Sequence, residues 1–176
     1  MLTLADRLHR ADAKDELLWR IANRFPGEKW TYRELGRLYL AAGNTRGLNK
    51  VYRARLAANP TDLVLKNNVA GTSLVLKTGS SQAHQFAREI YEAEPGNPTL
   101  ASTYAYSLHV QGKTAEGLAA LQKLDHASCA KPPVVLYYGV LLWASGKTKE
   151  AAPYLRLATA GTELLPEEKA LLTECK

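Results

Sequence analysis

The chain is short of the residues on which several function classes depend. It holds 2 cysteines in 176 residues, Cys129 and Cys175, 46 positions apart. That spacing is neither a metal-ligand pattern nor a disulfide framework, and it points by default to a reducing compartment. His9, His84 and His109 stand in no HExxH-type spacing, so no metal is expected and no cofactor is implied. No apolar run approaches the ~18 residues of a membrane span. The opening MLTLADRLHR carries charges where a secretory signal needs an apolar segment. The expectation is a cytoplasmic default, with no membrane span in this chain. Met1 is the single methionine, which reads as a start codon added to a fragment.

Charge is present but uneven. The net charge is +6, and residues 1–60 hold 12 Lys/Arg against 6 Asp/Glu, whereas residues 61–176 hold 11 of each. A local positive excess raises encounter rates with an acidic partner. The plainer reading is a set of solvated helix faces at a basic end.

The strongest signal is repetition. Residues 104–125, YAYSLHVQGKTAEGLAALQKLD, match residues 138–159, YGVLLWASGKTKEAAPYLRLAT, 34 positions later. Tyr104 pairs with Tyr138, Leu108 with Leu142, Gly112 with Gly146 and Leu121 with Leu155. A fixed period of this length means stacked supersecondary units. Residues 29–60 give the fullest copy: Tyr32, Leu35, Gly36 and Tyr39 on one helical face, a turn at Gly43-Asn44, Leu48 and Tyr52 on a second helix, then Pro60. Residues 64–95 keep Gly71, Ala83 and Pro95 but place Asn67 and Ala87 at the aromatic positions. Ahead of these copies, residues 1–11 and 13–24 read as two short amphipathic helices, the second ended by Pro26-Gly27. Pro98 and Pro132 open first helices, and Thr114 and Thr148 stand where N-caps are wanted.

This pattern resembles the tetratricopeptide repeat (TPR), whose units carry an aromatic, Leu-Gly, Tyr, a small residue, an aromatic and a proline. The register of Gly36, Gly71, Ala105 and Gly139, at spacings of 35, 34 and 34, carries the resemblance over nearly the whole chain. Leu48 and Arg55 depart from small residues of the pattern and imply slightly wider packing; Gly117 departs from alanine and should weaken its helix by about 0.5–1 kcal/mol. The resemblance implies an all-α, right-handed superhelical α-solenoid forming a single domain. Its parts are a leading partial repeat at 1–28, copies at 29–63, 64–97, 98–131 and 132–164, and a capping helix at 165–176. The shared register predicts Gly36, Gly71 and Gly139 buried at helix–helix contacts. The capping helix is expected to lay Ala170 and Leu171 on the fourth copy.

Motifs that elsewhere carry chemistry are read as structural here. Gly112-Lys113-Thr114 and Gly146-Lys147-Thr148 end like a phosphate-binding loop. They lack its upstream glycine and strand, and they recur at the repeat period, so both read as inter-helix turns. Asp125, His126, Ser128 and Cys129 cluster before Pro132, but a short inter-repeat loop supplies no rigid nucleophile–base pair. Arg46, Lys50, Arg53 and Arg55 crowd one helix without the interleaved aromatics that single-stranded nucleic acid needs. No enzyme is expected.

In TPR proteins the first helices line a concave groove. The matching positions are Trp30, Arg33, Arg37 and Leu40; then Leu65, Asn68, Thr72 and Val75; then Ser102, Tyr106 and His109; then Leu136, Val140 and Trp143. The implied function is a non-catalytic protein-interaction module or assembly scaffold that takes a partner segment, an acidic one included, in that groove. Arg33 and Arg37, with Asn68, would take a carboxylate, though Thr99 and Thr103 stand where the family's full clamp needs a cation. Alternatives are a structural segment of a larger helical chain with no ligand of its own, or nucleic-acid binding through the basic end. A groove left exposed favours the binder, and a groove filled by the chain's own tail favours the structural role.

Overall fold

The computed structural model describes residues 11–161 and 163–175. The helix expected over residues 1–11 lies outside them, apart from Ala11, with which the first described helix begins. The described residues form α1 (Ala11–Arg24), α2 (Lys29–Ala41), α3 (Thr45–Ala58), α4 (Leu63–Val75), α5 (Ser80–Ala93), α6 (Pro98–Val110), α7 (Thr114–Leu121), the short α8 (His126–Cys129), α9 (Val134–Ala144), α10 (Thr148–Gly161) and α11 (Pro166–Glu174). No strand occurs among them. The described residues are all-helical, and within each unit neighbouring helices pack in pairs. Its contacts divide it into two compact units, Met1–Leu65 and Lys66–Lys176, a boundary two residues from the one drawn between the first and second copies.

In the first unit α1 packs on α2 and α2 on α3. Leu18, Ala22, Leu35, Leu48 and Val51 are buried there, on helical spacings that put one apolar stripe inward. Polar tips lock the stripe. Trp19 Nε1–H donates to Tyr39 Oη at 2.8 Å, and the Tyr39 hydroxyl donates to the Asp15 carboxylate. Burial, then that carboxylate, pushes the Tyr39 phenol up to about 12. Lys50 Nζ sits 4.1 Å from the centroid of the Trp19 indole, a cation–π contact that spends one of the basic charges of α3 on packing.

In the second unit α6 packs on α5 and α7, and α9 packs on α6, α7, α8 and α10. Lys66 Nζ joins α4 to α5 through Glu89 at 2.7 Å. The core gathers Ala101, Ala105, Leu121, Val134, Leu136, Leu141, Leu142, Ala151 and Ala158.

The ends of the first helices explain the turns. Gly112 has φ +79°, and its N–H bonds the His109 carbonyl at 2.9 Å while Lys113 N–H bonds that of Leu108 at 2.9 Å. Gly146 and Lys147 repeat this on Trp143 and Leu142. These left-handed helix stops account for both Gly-Lys-Thr tripeptides. The weak second copy forms the same stop with a lysine: Lys77 has φ +55°, its N–H bonds Leu74 O and the Thr78 N–H bonds Ser73 O. Asn44 and Asn97 cap α3 and α6 with their side chains, and Pro98 opens α6 as expected. Three start signals are displaced. Thr114 and Thr148 are the first residues of α7 and α10 rather than their N-caps, with Lys113 at the N-cap of α7; the Thr114 hydroxyl meets His109 Nδ1 at 2.9 Å. Pro132 precedes a cis bond to Pro133, and α9 starts only at Val134.

The small-residue register holds in part. A Cβ at Gly139 would stand 2.9 Å from Leu155 Cδ2, so the α9–α10 approach depends on that glycine. Gly36 and Gly71 have nothing within 4 Å of such a Cβ and are only half-buried; their expected burial at helix contacts is corrected. In the first copy the close approach sits instead at Gly47, whose Cβ would lie 2.6 Å from the Tyr39 ring. The α3 face therefore keeps its small residue one position before Leu48. Gly117 is likewise a steric requirement, since its Cβ would stand 2.6 Å from the Ala105 carbonyl oxygen.

These geometries set opposite signs for similar substitutions. Gly71→Ala should raise stability by about 0.5–1 kcal/mol through helix propensity. Gly117→Ala should lower it despite the same gain, and Gly139→Leu should cost about 1–3 kcal/mol by overpacking; thermal melts of the three variants check this. Lys77→Gly should stabilise by about 1 kcal/mol, because glycine holds a left-handed conformation without the Cβ penalty. A chemical-denaturation midpoint that fails to rise would contradict it.

Candidate binding surfaces

The first-helix positions read from the sequence divide by unit. On α2, Trp30, Arg33, Arg37 and Leu40 recur at helical spacing and share a face. Arg33 and Arg37 are exposed and Trp30 is half-buried. Leu40 is 42% exposed, one of few large apolar side chains so open. Arg37 Nη1 reaches Glu34 Oε1 at 3.2 Å, an exposed pair one turn apart that holds the guanidinium without burying it. This face carries two forked donors beside apolar area, which suits a carboxylate flanked by apolar side chains.

The remaining positions mostly face inward. Leu65, Thr72, Val75, Ser102, Tyr106, Leu136 and Val140 are buried. Asn68, His109 and Trp143 are half-buried, and Trp143 packs against the core. Buried hydroxyls here need no external partner: Thr72 Oγ1–H donates to the Asn68 carbonyl at 2.6 Å and Ser102 Oγ–H to that of Thr99 at 2.8 Å, a local bond open to Ser and Thr in a helix.

In the second unit α11 closes over Tyr137 and approaches Tyr106. Tyr137 on α9 and Tyr106 on α6 lie with ring centroids 4.7 Å apart. The Tyr137 hydroxyl donates to Glu168 Oε1 at 2.7 Å, and Glu168 Oε2 accepts from the Leu165 N–H at 2.9 Å. Burial, then the Glu168 carboxylate, drives the Tyr137 phenol well above its usual range. Burial, then Glu174 and Glu168, pushes that of Tyr106 up to about 12. Leu171 packs against the core as expected, together with Leu172, while Ala170 is exposed, so the inward place expected of Ala170 is corrected. The helix turns Leu172 inward where alanine was expected.

Two clefts lie elsewhere. In the first unit a cleft of about 340 Å³ is lined by Lys29, Tyr32, Arg55, Asn59 and Asp62 among others. In the second, a cleft of about 400 Å³ is lined by His84, Arg88, Glu92, Tyr104, Gln111 and Lys113 among others. Beneath it His84 Nδ1 meets Ser107 Oγ at 2.8 Å, and Gln111 Nε2–H donates to Ser107 O at 3.0 Å. Ser107 is 1% exposed, so its hydroxyl is a packing group rather than an accessible nucleophile. Sequence reading missed this set because His84 and Ser107 stand 23 positions apart on helices whose rotation only packing decides.

The Asp125–Cys129 cluster separates rather than assembles. The Asp125 carboxylate accepts from Ser128 N–H and Oγ–H at 2.9 and 2.7 Å, capping α8, whereas His126 Nδ1 faces Tyr154 Oη at 3.2 Å. Cys129 is buried, and burial then Asp125 raises its thiol. The basic residues of α3 are partly spoken for: Arg53 Nε–H donates to Asn49 Oδ1 at 2.8 Å, and Lys50 covers Trp19. Among the described residues no three His, Cys, Asp or Glu side chains stand together as a metal site, and no helix is long and apolar enough to cross a membrane.

No family model, curated protein or solved structure matches the chain.

Burial lowers the imidazole values of both His84 and His109 from the ordinary 6.5. Unfolding therefore takes up protons once the pH drops toward 6.5, and stability is lost from there down through the lowered folded values. The melting temperature should fall between pH 7 and 5, and the His84→Gln/His109→Gln variant should fall less steeply over that window. Parallel profiles for the two proteins would show that these histidines do not set it.

Proposed function

We propose that the chain is a non-catalytic protein-interaction module or assembly scaffold, a TPR-like right-handed α-solenoid that takes a partner segment of acidic character. The observation that carries this reading is the solvent-facing stripe Trp30, Arg33, Arg37 and Leu40 on α2. An exposed leucine and a half-buried indole beside two exposed guanidinium groups put apolar and cationic area on one helix face, and aromatic and Arg anchors are those that dominate binding energy. The positive excess of residues 1–60 would raise the encounter rate with such a partner.

A structural role without a ligand has one observation in its favour: in the second unit most first-helix positions are buried, and α11 lies over Tyr137. The two readings part on the α2 face. Fluorescence anisotropy against a library of acidic peptides should find binders whose affinity falls at least tenfold, about 1.4 kcal/mol, in Arg33→Ala/Arg37→Ala. That loss should shrink in high salt, where charge attraction is screened. Equal affinity in both proteins at low salt would remove α2 as the binding surface, and an absence of any binder would favour the structural role.

A further inference from the structure

The contact between α11 and the tyrosines beneath it has the composition of a ligand complex. α11 is nine residues long, and none of them is buried, whereas eight residues of the α9 helix beneath it are. Isolated helices shorter than about 12 residues are marginal in water, so α11 keeps its form by docking. Its docking points join one carboxylate to an apolar pair. Glu168 accepts from Tyr137 Oη and, with its other oxygen, from the Leu165 N–H that starts the helix. Leu171, Leu172 and, beyond the helix, Cys175 rest on the apolar cluster. One carboxylate therefore both nucleates the helix and anchors it, and the leucine pair follows at the third and fourth positions after it, on the same face.

The surface underneath is prepared to receive such a segment. Tyr137 offers a phenol donor inside an apolar frame, and its ring lies against that of Tyr106. Uncovered, this face would expose Tyr137 and the apolar residues that Leu171 and Leu172 cover, an apolar patch of the kind that marks a protein-binding site.

We infer that this tyrosine face is a second binding surface whose partner is an amphipathic helix of the pattern Glu-x-x-Leu-Leu, and that α11 is its resident stand-in. The incoming carboxylate takes the Tyr137 hydroxyl, the two leucines replace Leu171 and Leu172, and α11 is released. The inference rests on the proposed interaction role but uses a different surface from α2, so the two fail separately.

The probe is a labelled peptide of residues 163–176 carrying Cys175→Ser, added to the intact chain and to its Glu168→Ala/Leu172→Ala variant, whose own α11 is weakened. The variant should bind the peptide at least tenfold more tightly than the unaltered chain. A peptide with Glu168→Ala, Leu171→Ala and Leu172→Ala should not bind, and Tyr137→Phe in the variant chain should weaken uptake of the intact peptide. Equal affinity for the two chains, or no uptake by a variant that still melts cooperatively, overturns the inference. Should the variant not fold, hydrogen exchange on the unaltered chain decides. Excess peptide should speed exchange across residues 166–174, and unchanged exchange overturns the inference. A concentration-dependent dimer that excludes the peptide also overturns it, in favour of exchange of α11 between copies.

Discussion

Backbone-to-side-chain closeness at a few small residues governs how the helices of this chain can pair. At Gly117 the limit is a carbonyl oxygen, which cannot move aside without moving α6. At Gly139 it is the Leu155 side chain together with its amide nitrogen, and at Gly47 it is the face of the Tyr39 ring. A methyl group at any of the three would hold two helices apart by a fraction of an ångström, and interiors packed like crystals do not absorb that freely. The buried alanines Ala101, Ala105, Ala151 and Ala158 extend the same rule through the second unit.

Close packing leaves polar groups with little access to water, and the chain meets this with bonds both within a helix and between helices, leaving Asn67 Oδ1 buried without a hydrogen bond. Thr72 and Ser102 turn their hydroxyls back on their own helices. His84, Ser107 and Gln111 bond across two helices. Tyr39 and Tyr137 each end on a carboxylate, Asp15 and Glu168 respectively. In both tyrosine cases a flanking helix adds a phenol–acid bond to its apolar contacts, α1 in the first unit and α11 in the second. A charged acceptor makes a stronger bond than a neutral one, which suits the short α11, none of whose residues is buried.

Several elements were legible in the order of residues alone. The period of 34 located the helix pairs, because each stop needs a left-handed residue at the same place and glycine fills that place at Gly43, Gly112 and Gly146. Lys77 shows how far the backbone rule outlasts its preferred residue. Pro98 and Asn97 marked the start of α6 correctly, since a missing N–H and a side-chain acceptor are both local properties. Gly36 and Gly71 misled for a related reason: a glycine in register says that a side chain is absent, not that another helix fills the space.

What the sequence by itself determined is the set of local facts: the helical class, the places where helices stop, and the apolar stripes that must be covered. Those depend on φ, on hydrogen bonds within a few residues, and on a spacing of 3.6 per turn. Only the tertiary structure decided which of the first-helix side chains reach solvent. Arg33, Arg37 and Leu40 remain open while Tyr106, Leu136 and Val140 are buried. Positions that match in the repeat thus end in opposite environments, because burial is set by the rotation of each helix and by whatever lies over it, including a distant segment such as α11. No period in the chain encodes that cover, since it depends on one phenol meeting one carboxylate 31 positions away.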